Sequence, residues 1–63
     1  MEYEVQALMM GQEKFNGTLN FVPRVGEELQ IDGWMYIVKN VRYIVRTGIH
    51  AGSRIQVILD WKK

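Results

Sequence analysis

The chain has 63 residues, and eight Lys and Arg against seven Asp and Glu leave a net charge of +1. This length allows one domain that buries only about 60% of its unfolded surface, so the core must be small. The near-neutral charge argues against binding of nucleic acid by bulk attraction, and the lack of cysteine excludes disulfides and thiolate metal ligands.

The first part of the chain predicts two strands. Apolar and polar residues alternate over residues 3–9, which is typical of a half-buried strand. The polar residues 11–14 predict a loop. Asn16-Gly17 has the residue types that adopt positive φ angles in a tight turn, so we expect the second strand at 18–22.

The next two strands are predicted to form a hairpin. Asp32-Gly33 is a favoured two-residue turn, and it separates two alternating segments. A turn of this length places Ile31 opposite Trp34 and fixes the register of the pairs that follow.

The alternation of apolar residues shifts by one position after Val38, because the next alternating apolar residues start at Val41 and not at residue 40. A β-bulge at Lys39-Asn40 would add the one residue that keeps later side chains on the same face, and it would also bend the strand. The alternative is that Asn40 binds a ligand.

The last strand is predicted at 54–61, after a flexible loop at 47–53 that holds two glycines. Symmetric closure of this loop gives a clean apolar face. The pairs expected on that face are Val45–Ile55, Tyr43–Val57 and Val41–Leu59.

These elements predict an all-β fold, a small five-stranded barrel with a β-bulged central strand. The runs Phe21-Val22-Pro23-Arg24-Val25-Gly26-Glu27-Glu28-Leu29, Ile31-Asp32-Gly33 and Tyr36-Ile37-Val38-Lys39-Asn40-Val41 resemble small SH3-like β-barrel proteins of phages and bacterial mobile elements. The resemblance implies one SH3-like barrel domain over residues 1–63 and an accessory protein that docks onto another component. It carries no functional residue across.

No catalytic arrangement is predicted. His50 and Ser53 are close in sequence, but no third group orients the imidazole. Glu27 and Glu28 are adjacent, so they point to opposite faces of a strand. We therefore expect no enzyme activity, no cofactor and no metal site.

Four aromatic residues fall on the predicted core face, where packing and ligand stacking are the alternatives: Trp34, Tyr36, Tyr43 and Trp61. The outer face of the last hairpin carries the candidate partner-binding residues, which are Arg42, Arg46, Arg54, Ile44, Ile58 and Gln56. The symmetric register places Arg46 opposite Arg54, an unfavourable like-charge pair. Either these arginines keep an edge soluble, or the face binds a partner.

The sequence thus predicts a non-enzymatic interaction module that binds a protein partner through its sheet face and loops. The first alternative is nucleic acid, bound by the same arginines with Arg24 and Lys39, and the second is a self-assembling structural subunit. We expect a homo-oligomer, because this small domain has an outer apolar set of Met35, Ile37, Ile44 and Ile58.

Neither membrane insertion nor export is predicted. Glu2 and Glu4 lie where a signal peptide would be basic, and the apolar run 34–38 is too short to span a bilayer. With no cysteine in the chain, these features predict a cytoplasmic protein.

Overall fold

The computed structural model describes residues 1–62 and, at His50, the backbone alone. The elements in chain order are β1 (Tyr3–Met9), β2 (Gln12–Leu19), β3 (Glu28–Ile31), β4 (Trp34–Arg46), a 3₁₀ turn (Gly48–His50) and β5 (Gly52–Trp61). The prediction of a small all-β fold with five strands is confirmed.

The strands form one sheet in the order β2-β1-β5-β4-β3, curled into a half-barrel. β5 lies at the centre, where it pairs parallel with β1 and antiparallel with β4. Alternate residues of these three strands fill the concave side, since successive side chains point to opposite faces. The buried core consists of Val5, Ala7, Met9, Tyr36, Val38, Ile55, Val57 and Leu59.

The predicted boundaries of the second strand are wrong. The chain reverses at Met10 and Gly11, which have φ angles of 50° and 80°, and β2 begins directly after them. Asn16 and Gly17 lie inside β2 and not in a turn. The Phe15 ring lies over Gly17, where a Cβ would be 3.1 Å from its nearest atom.

The predicted extent of that strand is also wrong at its other end. β2 stops at Leu19, and residues 20–22 belong to the connection that leads to β3. Pro23 is buried in this connection. Close to β3, the backbone N–H of Arg24 donates to Glu27 Oε1 at 2.6 Å, so Glu27 closes a turn.

The hairpin of β3 and β4 confirms the prediction. Asp32 and Gly33 both have positive φ, and Ile31 pairs with Trp34. The register of β4 against β5 shifts between Val38 and Asn40, where the apolar pattern changes phase.

The predicted register of the last hairpin is wrong by two residues. Val45 pairs with Ser53 in place of Ile55, and Arg46 pairs with Gly52 in place of Arg54. The 3₁₀ turn shortens the connection to 47–51, so that Gly52 starts β5. A shift of two residues keeps each side chain on its predicted face, which is why the apolar pattern alone did not exclude the wrong register.

The burial of the aromatic residues differs from the prediction. Tyr36 is buried, but Trp34, Tyr43 and Trp61 are 62%, 65% and 44% exposed. They do lie on the concave side of the sheet. Because the sheet closes only half a barrel, both ends of that side stay open to solvent.

Candidate functional site

The six predicted partner-binding residues all lie on the convex side of β4 and β5, and we call this surface the arginine face. In the observed register Arg42 is opposite Gln56 and Arg54 is opposite Ile44. Arg46 is opposite Gly52, so no two arginines face each other directly. The like-charge conflict that the predicted register contained is therefore absent.

Part of the arginine face lines a shallow hollow of about 250 Å³. Its walls come from the end of the β4–β5 hairpin and from β1, and its lining residues are Glu4, Ile44, Arg46, Gly52, Ser53, Arg54 and Gln56. Arg42 and Ile58 lie outside the hollow. Arg42 is joined to it through a hydrogen bond from its Nη1 to Gln56 Oε1, at 3.4 Å.

The apolar residues of this face are less exposed than the sequence suggested. The three arginines are exposed, whereas Ile44 and Ile58 are half-buried. Ile37 is also half-buried, and of the predicted outer apolar set only Met35 counts as exposed, at 37%. The face is therefore a charged surface with an apolar floor, in which arginine stems can cover the isoleucines.

A chain of side-chain hydrogen bonds crosses four strands of the convex side. From Arg42 on β4 it passes to Gln56 on β5; Gln56 Nε2 donates to Gln6 Oε1 on β1 at 3.0 Å, and Gln6 Nε2 donates to Glu13 Oε2 on β2 at 2.8 Å. These bonds could not be predicted from the sequence, because Glu13 was expected in a loop and lies in β2. This series of hydrogen bonds holds Gln56 in place at the border of the hollow.

The hollow contains charges of both signs, because Glu4 lies beside Arg46 and Arg54. In the described part of the chain the one ion pair is that of Lys62 with Glu28, at the other end of the sheet. The arginines thus keep their charges available to a ligand, and Glu4 offers an acceptor next to them.

A second surface feature is an aromatic cluster on the concave side, at the end of β4 and β5 that is far from Arg46. Trp61 stacks on Tyr36 with ring centroids 5.3 Å apart, and Trp34 meets Trp61 edge to face at 5.8 Å. With Lys14 they border a hollow of about 370 Å³. The rings of both tryptophans are therefore accessible from solvent.

Among the described residues, no group of three or more metal-ligating side chains occurs. The side chain of His50 lies outside the described part of the structure, so the expectation that it forms no catalytic arrangement with Ser53 stays a prediction. Within residues 1–62, no helix has the length and apolar character needed to cross a membrane.

Comparisons of the chain with known protein families, with curated proteins and with solved structures give no match.

Proposed function

We propose that this chain is a non-enzymatic interaction module that binds a protein partner through the arginine face. The observation that carries the proposal is the hollow in which Arg46 and Arg54 surround the half-buried Ile44 beside Glu4. Arginine combined with aliphatic and amide groups is enriched at protein interfaces, where it donates several hydrogen bonds in a fixed geometry.

Charge favours a protein over a nucleic acid as the partner of this face. A polyanion would be repelled by Glu4, which lies inside the hollow, and it would gain little from a net charge of +1. A protein surface with a carboxylate and a donor group could satisfy both signs of charge.

The finer fold assignment belongs to the same proposal. We assign the half-barrel to the SH3-like barrels and place a β-bulge at Lys39-Asn40, supported by the register shift at this position. The resemblance of residues 21–41 to phage and mobile-element proteins supports an accessory role that depends on docking. The absence of cysteine supports a cytoplasmic location.

The test is a triple substitution, Arg42→Gln, Arg46→Gln and Arg54→Gln, in a tagged chain used to capture partners from nuclease-treated lysate. All three side chains are exposed, so the variant is expected to fold. We expect a protein that the wild type captures to be lost. A variant that retains the same protein at wild-type yield would contradict the proposal.

A charge-matched control removes three cations elsewhere, at Lys14, Lys39 and Arg24. These residues lie outside the hollow of the arginine face, so a specific protein interface should be unaffected by their change to Gln. If the control loses the partner as completely as the triple variant does, the interaction is one of net charge, and the arginine face is not the binding site.

Single-stranded nucleic acid is the second candidate, and the aromatic cluster is the observation that favours it. Exposed Trp34 and Trp61 offer ring surfaces for bases, and Lys14 at the same hollow could contact a phosphate. The substitution Trp34→Ala tests this candidate, since stacking on one base contributes about 1–3 kcal/mol. Equal binding of a single-stranded oligonucleotide by variant and wild type would remove the candidate.

A further inference from the structure

We infer that the open edge of β4 pairs with the same edge of a second copy of this chain, antiparallel and centred on Tyr43. This inference concerns the backbone edge of β4, and it does not depend on the proposed function.

The edge is open because β4 is much longer than the strand beside it. β4 has 13 residues, but β3 pairs only with its first four, Trp34 to Ile37. The chain next to Val38 is held by two backbone bonds, from Gly26 N–H to Val38 O and from Val38 N–H to Glu27 O. In the described chain, residues 41–46 have a paired strand on the β5 side only. An unpaired edge of this kind is a template for another strand.

The free backbone groups of this edge belong to alternate residues. The N–H of Val41 donates to Asn40 Oδ1 at 2.9 Å, so it does not point towards β5. Because successive residues of a strand direct their N–H and C=O groups to opposite sides, Tyr43 and Val45 also direct theirs to the open edge. In a pairing centred on Tyr43, two copies could make four hydrogen bonds and leave the Asn40 contact in place: two between the Tyr43 backbones, and one from each Val45 N–H to the Val41 C=O of the other copy.

The side chains above this edge are apolar and uncovered. Tyr43 is 65% exposed and Val45 is 71% exposed, although both lie on the concave side of the sheet. Next to them is a hollow of about 580 Å³, lined in part by Phe21, Val25 and Val41. Apolar surface beside unpaired backbone is typical of a site where a strand is added.

The arginines select one register for two identical edges. Residues that pair across the two copies must point to the same face of the joined sheet. Two registers meet this condition and pair five residues of each copy within 41–46: one is centred on Tyr43 and the other on Ile44. Centring on Ile44 places Arg42 opposite Arg46 of the second copy at two positions, which is unfavourable. Centring on Tyr43 places Arg42 opposite Ile44 of the second copy, and no arginine faces another.

The register centred on Tyr43 also matches the concave side. It places the two Tyr43 rings opposite each other and Val45 of the second copy opposite Val41. That valine then enters the hollow bordered by Phe21 and Val25, where its exposed surface would be buried. The same register therefore avoids the charge conflict and places Val45 of the second copy against Phe21 and Val25 in the hollow.

The experiment uses single cysteines, because the natural chain contains none. Directly opposite residues in a hydrogen-bonded pair are about 5.5 Å apart between Cα atoms, within the range of a disulfide. Tyr43→Cys should therefore form a covalent dimer under mild oxidation. Ile44→Cys is the matched control, since its two copies would lie offset by two residues, beyond about 7 Å.

The wild type provides the second measurement. Light scattering at high micromolar concentration should report twice the 7.4 kDa of one chain, and Val45→Lys should shift this mass to that of the monomer. Val45 is exposed in the single chain, so the variant should keep its fold, which circular dichroism can check. A wild-type monomer, or faster cross-linking of Ile44→Cys than of Tyr43→Cys, would overturn the inference.

Discussion

Val57 is the residue whose truncation tests the core most directly. It lies in the middle of the central strand β5, it is 0% exposed, and it pairs with Val41 on one side and Ala7 on the other. The change Val57→Ala removes two methyl groups without adding a polar atom, so its effect on the free energy of unfolding reports burial and packing alone.

The expected loss can be worked out from the two parts of a truncation. Two methyl groups at about 0.8 kcal/mol each give about 1.6 kcal/mol of lost burial. A retained void of about 30 Å³, at about 24 cal/mol per Å³, adds about 0.7 kcal/mol. The sum of about 2.3 kcal/mol is a large part of the total for a chain of this size, since stability is about 0.05–0.15 kcal/mol per residue.

Urea unfolding followed by circular dichroism measures this difference. Val25→Ala is the matched control, because Val25 is 63% exposed and should change stability by less than about 0.5 kcal/mol. Equal midpoints for the two variants would refute the placement of the core. Normal folding of Val57→Asp would show that the concave and convex sides are inverted.

Other substitutions test single features of the fold. Met10→Asn should raise the free energy of unfolding by about 0.5–1 kcal/mol, because Met10 has a φ of 50° that Asn tolerates better; a lower urea midpoint would argue against this turn. Gly33→Ala should lower the free energy of unfolding by about 1 kcal/mol, since Gly33 has a φ of 85°. An unchanged urea midpoint would count against the hairpin. Gln56→Ala breaks two hydrogen bonds of the convex side and should lower the free energy of unfolding by about 1–2 kcal/mol. Lys62→Ala removes the exposed ion pair with Glu28 and should change stability by less than about 1 kcal/mol, with the difference disappearing in high salt.

Local patterns were enough to predict the strands that carry most of the core. The alternation in β1, β4 and β5 identified their faces, and Asp32-Gly33 fixed one hairpin together with its register. The first turn was missed because Met10 is not a residue type that favours positive φ. Asn16-Gly17 has the composition of a turn, but its backbone is held in β2 by pairing with β1.

Features that depend on distant parts of the chain could not be predicted in the same way. The parallel pairing of β1 with β5 joins the two ends of the sequence, and nothing local encodes it. The exposure of Trp34, Tyr43 and Trp61 follows from how far the sheet closes. The residues of the arginine face were predictable, because a two-residue shift leaves every side chain on the same face. The cross-strand partners of the arginines, and the position of Glu4 in their hollow, were not predictable.

The most direct test of the proposed function is the salt dependence of binding, measured for the captured protein and for generic DNA and RNA with wild type and the triple arginine variant. We expect the wild type to bind the protein and not the nucleic acids at about 0.15 M salt, and the variant to bind neither. Micromolar binding to generic nucleic acid that is lost in the variant would contradict the account. On duplex DNA, a slope of about −2.7 in log affinity against log salt would then indicate three phosphate contacts.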